Sequence, residues 1–199
     1  MHLASVRIRN YRLLVDAELE VDSATTLIVG RNNTAKTSLF SFIKSILEGG
    51  PFGFDDYPLR KRKGLCDSVN EYICGKLSFD DLCASVEPIV AEFRIDYSQE
   101  GGEDALGALS PFIIDVDSEI TTALIAVEYG LTRNEKKLRD ALAGGQDNGE
   151  GFGDAEEICD AIRKGFKKLF SMTVYAVNPV KANERQVKDI GELKRLFPS

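Results

Sequence analysis

The feature that most constrains this chain is the unit Thr26-Leu27-Ile28-Val29 followed by Gly30-Arg31-Asn32-Asn33-Thr34-Ala35-Lys36-Thr37-Ser38. The first four residues form a continuous apolar run, which predicts a strand buried on both faces. Beyond Thr37 the period changes. Leu39, Phe42, Ile43, Ile46 and Leu47 mark one side of a helix that stops at Gly49-Gly50-Pro51. A strand, a tight turn and a helix therefore meet within about ten residues. Successive backbone N–H groups in such a turn form a nest for anionic oxygens, and the helix adds its positive end. The turn matches G-x-x-x-x-G-K-[ST] at every fixed position but one, where Ala35 replaces the second glycine. In that pattern Lys36 reaches the β- and γ-phosphates and the Thr37 hydroxyl binds Mg²⁺. The expected nucleotide-binding set is Gly30, Arg31, Asn32, Asn33, Thr34, Ala35, Lys36, Thr37 and Ser38. The competing reading is a polar strand-to-helix turn with a helix-capping threonine. Ala35 is expected at the helix start with helical dihedrals, where alanine is tolerated; a demand for positive φ there would weaken binding.

The residues before this unit read as two half-buried strands. Ala4, Val6 and Ile8 alternate with Ser5, Arg7 and Arg9; after a corner at Asn10-Tyr11-Arg12, Ala17, Leu19 and Val21 alternate with acids. Residues 51–64 hold aromatics, proline and Arg60-Lys61-Arg62-Lys63, and read as loop. Two short helices are predicted next, opening with Ser68/Glu71 and Ser78/Asp81 capping patterns, the second closed by Pro88. Ala91, Phe93, Ile95 and Tyr97 mark a strand, and Ala123, Ile125, Val127 and Tyr129 another. Asn134 opens a short helix. Asp154 caps a longer one carrying Ile158, Ile162, Phe166, Leu169 and Phe170 along one side. A strand over 172–177 and a final helical turn or two over 192–197 complete the pattern. Residues 99–104 and 144–153 are polar and rich in glycine, the latter expected to be a mobile acidic loop. The fold class is α/β, with a mixed sheet antiparallel in its N-terminal part and flanked by helices.

Composition removes several functions. The 199 residues include one histidine, His2, so histidine-based acid–base or metal chemistry is excluded. Net charge is −7 and pI 4.9, which disfavours general attraction to nucleic acid or anionic membrane. The longest apolar run is 123–127, far too short to span a membrane, and the N-terminus has no signal-peptide core. A cytoplasmic protein with no membrane partner is expected. Cys66, Cys74, Cys83 and Cys159 form no C-x-x-C pair and read as reduced thiols, three in helical segments.

Val6-Arg7-Ile8-Arg9-Asn10-Tyr11-Arg12 together with Leu27-Ile28-Val29-Gly30-Arg31-Asn32-Asn33-Thr34-Ala35-Lys36-Thr37-Ser38 resembles the start of ATPase heads of the OLD, RecF and SMC-like type. These belong to the ABC-related P-loop class, and the OLD group contains ATP-dependent endonucleases. In them an N-terminal strand ends in an Asn-aromatic-Arg corner, and the loop reads Gly-x-Asn-Asn-x-Gly-Lys-Thr-Ser. The match is specific over about fifty residues, and looser beyond. It implies a P-loop NTPase-like fold, with residues 1–199 as the N-terminal lobe of an AAA/ABC-like ATPase domain. It implies ATP and Mg²⁺ as ligands, Arg12 near the nucleotide, and a homodimer of heads in the full-length protein. DNA processing or anti-phage defence would be the role, through a C-terminal TOPRIM nuclease, with DNA as a partner.

The resemblance also marks absences. No signature motif with paired glycines, Asp-Glu strand end or later switch histidine is evident. Phe112-Ile113-Ile114-Asp115 is the nearest Walker B candidate, but Val116 follows it. The ending Leu196-Phe197-Pro198-Ser199 reads as that of a truncated head. Weak Mg-ATP binding with negligible hydrolysis is therefore expected, no catalytic residue being assigned. Two other functions stay open: a non-hydrolysing nucleotide-binding or dimerisation module, and a nucleic-acid adaptor acting through the run at 60–63.

Overall fold

The computed structural model describes residues 1–29, 35–48, 50–98, 106–114, 117, 119–143 and 155–197. The alternating N-terminal segments form β1 (His2–Tyr11) and β2 (Leu14–Glu20), an antiparallel hairpin in which Tyr11 pairs with Leu14. Asn10 and Arg12 turn the corner with φ of 60° and 48°. Then come α1 (Lys36–Glu48), a 3₁₀ turn at Phe54–Asp56, α2 (Leu59–Ile73), α3 (Phe79–Ser85) and β3 (Ile89–Asp96). A second 3₁₀ turn (Gly107–Phe112) leads to β4 (Thr122–Leu131), α4 (Glu135–Ala143), α5 (Ala155–Leu169), β5 (Phe170–Val177), β6 (Arg185–Lys188) and α6 (Ile190–Leu196). No helix among the described residues is long and apolar enough to cross a membrane.

The six strands form one sheet in the order β2-β1-β3-β4-β5-β6. Among the described residues every pairing is antiparallel, where the sequence led to the expectation of a mixed sheet. One face carries Val6, Ile8, Ala91, Phe93, Ile95, Ile125, Val127, Tyr129, Val174 and Ala176. These join Phe42 and Ile46 of α1, Leu65 and Val69 of α2, and Ile158, Ile162 and Phe166 of α5 in one core. The other face is charged and wet. Arg7 lies on Asp16, Arg9 on Glu92 and Arg185 on Glu128, each with a contact of 2.7–2.8 Å. Period-two alternation in β1, β2 and β3 sorts the two faces.

Three further expectations change. Residues 25–29 are not a strand: Leu27 is 82% and Val29 78% exposed. Ile28 between them is half-buried, and among the described residues no strand pairs with this segment. Residues 59–64 are helical, and α2 runs through Ser68 without a break, so Ser68 caps nothing; Ser78 does cap α3, accepting a hydrogen bond from the Asp81 N–H at 3.1 Å. Phe112 ends a 3₁₀ turn with its ring buried, and Ile113 and Ile114 are not in a strand, while Asp115 lies outside the described residues. Cys66 and Cys159 are joined in a disulfide between α2 and α5, whereas Cys74 and Cys83 are free. The segments 99–104 and 144–153, and the cap at Asp154, lie outside the described residues.

Candidate nucleotide-binding site

α1 starts at Lys36, and its first turn holds no acidic residue. The Leu39 N–H donates to the Ala35 carbonyl at 2.9 Å, closing that turn. Ala35 has φ 63°, in the left-handed region, not the helical dihedrals expected of it. The chain thus makes, at the motif's second glycine position, the conformation that glycine adopts most cheaply. Lys36 and Ser38 are half-buried and Thr37 is exposed. Gly30, Arg31, Asn32, Asn33 and Thr34 lie outside the described residues. Beside this helix start, a cavity of about 320 Å³ is lined by Val6, Leu14, Leu19, Ile28, Lys36 and Leu39, among others.

The helix is fixed from behind. Phe42 and Ile46 are fully buried, at i and i+4 on one face of α1. The Tyr11 ring packs 4.8 Å from that of Phe42 and 5.3 Å from that of Phe52, and Phe42 stacks on Phe52 at 5.5 Å. Burial raises the Tyr11 phenol's pKa above its ordinary value. The Asn-Tyr-Arg corner is itself clamped. The Arg12 backbone N–H donates to the Asp56 carbonyl at 2.8 Å, and the Arg12 side chain lies 2.8 Å from Asp56 Oδ1. Asn10 donates to the Pro88 carbonyl at 2.9 Å and accepts from Lys61 Nζ at 2.8 Å. Lys61 also pairs with Glu87 at 2.5 Å, which holds the Glu87 carboxyl below the usual carboxylate range.

Two sequence candidates take part in these contacts. Arg12 is engaged with Asp56 on the exposed side of the corner, so it buttresses the loop that carries Phe52 and Phe54. In the basic run, Lys61 is spent on Asn10 and Glu87. Arg62 is spent on Asp55 and the Tyr57 carbonyl, its Nε donating to the latter at 3.0 Å. Within the run, Arg60 and Lys63 stand exposed. Asp56 and Glu87 carry no local sequence signal, because their partners Arg12 and Lys61 lie 44 and 26 positions away. Among the described residues, no group of three or more His, Cys, Asp or Glu side chains is placed to hold a metal.

The elements around the site, an anion-receptive helix start braced on a helix-backed sheet, are those of a P-loop NTPase-like α/β protein. The chain belongs to the AAA ATPase domain family, whose model matches residues 1–174. No curated protein matches the chain. Family membership brings ATP binding by an ATPase-type domain.

Proposed function

We propose that residues 30–38 are the phosphate loop of this ATPase domain, and that the domain is the nucleotide-binding lobe of an OLD/RecF/SMC-like head. The observation that carries this reading is the left-handed Ala35 set immediately before an acid-free helix start. A non-glycine residue is held in that conformation only where its surroundings impose it, and a phosphate nest is such a demand. The donor set fits a magnesium nucleoside triphosphate. The backbone of residues 30–36 would hold the phosphates, Lys36 would place its ammonium against the β- and γ-oxygens, and Thr37 and Ser38 would present hydroxyls beside them. Thr37, exposed at the second helical position, would hold Mg²⁺ through its hydroxyl, and the ion would supply charge neutralisation to the phosphates. Arg12 is a positioning residue, acting through the Asp56 contact on the brace behind α1.

The sequence lacks the paired-glycine signature motif of such heads. By the resemblance, hydrolysis would draw on residues of a second head in a homodimer. DNA processing in the cytoplasm is the corresponding role. Titrating Mg-ATP into the intact chain and into Lys36→Ala tests the site. The variant should bind at least about tenfold more weakly, or ~1.4 kcal/mol. Equal binding would remove the loop from consideration, and fast turnover by the chain alone would overturn the requirement for a partner.

A further inference from the structure

We propose that Cys66 and Cys159 are a reversible thiol–disulfide clamp on the seam between α2 and α5. The two residues lie 93 positions apart in sequence, yet their Cα atoms are 5.3 Å apart, inside the range a disulfide spans. Cys66 is buried, whereas Cys159 is only half-buried, so one end of the bond is open to an attacking thiolate. The remaining cysteines, exposed Cys74 and buried Cys83, stay unpaired.

The seam has one other cross-link, and it stands one helical turn away on both helices. The guanidinium of Arg62, four residues before Cys66, lies 5.2 Å from the centre of the Phe54 ring. That of Arg163, four residues after Cys159, lies 5.3 Å from the same ring. Phe54 also meets Phe166 of α5 edge-on at 5.7 Å. Both contacts are cation–π, and Arg62 is also held by Asp55, so this fastening depends on charge. The disulfide is the fastening that does not depend on charge. With the bond closed, α5 is tied to α2, whose first turn grips the β1–β2 corner through Lys61. With it open, the seam relies on apolar packing and the shared Phe54.

The reaction balances with a low-molecular-weight disulfide. One protein thiolate attacks it and releases a thiol, and the second protein thiolate displaces the other, leaving the protein oxidised by two electrons and two small thiols formed. The reverse exchange opens the clamp.

The test uses the intact folded chain in glutathione buffers of graded reduced-to-oxidised ratio. Alkylation under native and denaturing conditions, read by mass spectrometry, counts free thiols. The expected result is two free thiols on the oxidising side and four on the reducing side, with unchanged far-UV circular dichroism. The melting temperature should fall by roughly 5–15 °C on reduction, and α5 amides should exchange faster. Cys66→Ser/Cys159→Ser should melt at the reduced value whatever the buffer, and Cys74→Ser should respond like the parent. Four free thiols in every buffer would overturn the proposal. So would a bond that opens only in denaturant, or a melting temperature indifferent to reduction.

Discussion

At the scale of single residues, the most informative position is Ala35. Its φ of 63° costs an L-amino acid about 1–2 kcal/mol relative to the right-handed region, and glycine does not pay it. Glycine gives back part of that gain through a freer unfolded chain, about 0.5–1 kcal/mol. Ala35→Gly should therefore stabilise the fold by up to about 1 kcal/mol and raise the melting temperature by roughly 2–4 °C, read by calorimetry. A larger β-branched residue, as in Ala35→Val, should lower it. If both substitutions act like ordinary helix-start changes, glycine destabilising and valine nearly neutral, the backbone there is not left-handed. The sequence announced the glycine position through its spacing from Lys36. It did not announce that the alanine bears the strain, because a residue's identity says nothing about φ until its neighbours fix it. Arg12 gives the same lesson. Its corner was readable, but Asp56, the carboxylate that engages it, is forty-four residues away.

At the scale of elements, periodicity was sufficient wherever one face is dry. β1, β2, β3 and β4 lie where alternation put them, and α5 where helical spacing did except that Phe170, read as helical, opens β5, because burial on one side writes a repeating pattern. It was insufficient where burial depends on a neighbour. Residues 26–29 have the composition of a doubly covered strand, yet Leu27 and Val29 stand in solvent, while β6, with Val187 its single apolar residue, is a strand only because β5 lies beside it. α2 was half-hidden because its first turn is basic and is held by ion pairs instead of apolar contacts. This contrast can be measured. Leu27→Asp should change stability by less than about 0.5 kcal/mol, as surface changes do. Phe42→Ala should cost about 3–5 kcal/mol, since it empties a fully buried site facing Tyr11 and Phe52. Chemical denaturation of the two variants checks the difference, and a severe Leu27→Asp defect would place that side chain in a packed layer instead.

At the scale of the whole molecule, titration should bound the fold's stability from both sides of neutral pH. Burial pushes Tyr57 and Tyr129 up to about 12, and burial with the hydrogen bond to Glu135 does the same to Tyr72. The folded state therefore favours the neutral phenols, so their contribution is complete below the unfolded value near 10 and is lost as pH rises through about 12. Carboxylates act in the opposite sense. Glu87 is lowered by Lys61, Asp16 by Arg7 and Glu135 by Tyr72 and Arg139, so their contribution is complete above the ordinary carboxylate range and disappears as pH falls through the lowered folded values. The acid limb should be shallow, because Asp16 and Glu135 are solvent-facing pairs. The alkaline limb should be steep, because Tyr129 and Tyr57 stand in the aromatic cluster with Phe166 and Phe170, and ionising either puts a charge among those rings. Ultraviolet titration should show a late-ionising group of tyrosines whose transition coincides with loss of near-UV circular dichroism between about pH 10 and 12. Phenols that all ionise near 10 with the fold intact would place these rings in contact with water. Tyr57→Phe removes one such phenol and leaves the Glu87 carbonyl without the hydrogen bond it accepts from Tyr57 Oη at 2.9 Å. That variant should unfold at a higher pH than the parent while being slightly less stable at neutral pH, which separates the cost of ionising the phenol from the value of its hydrogen bond.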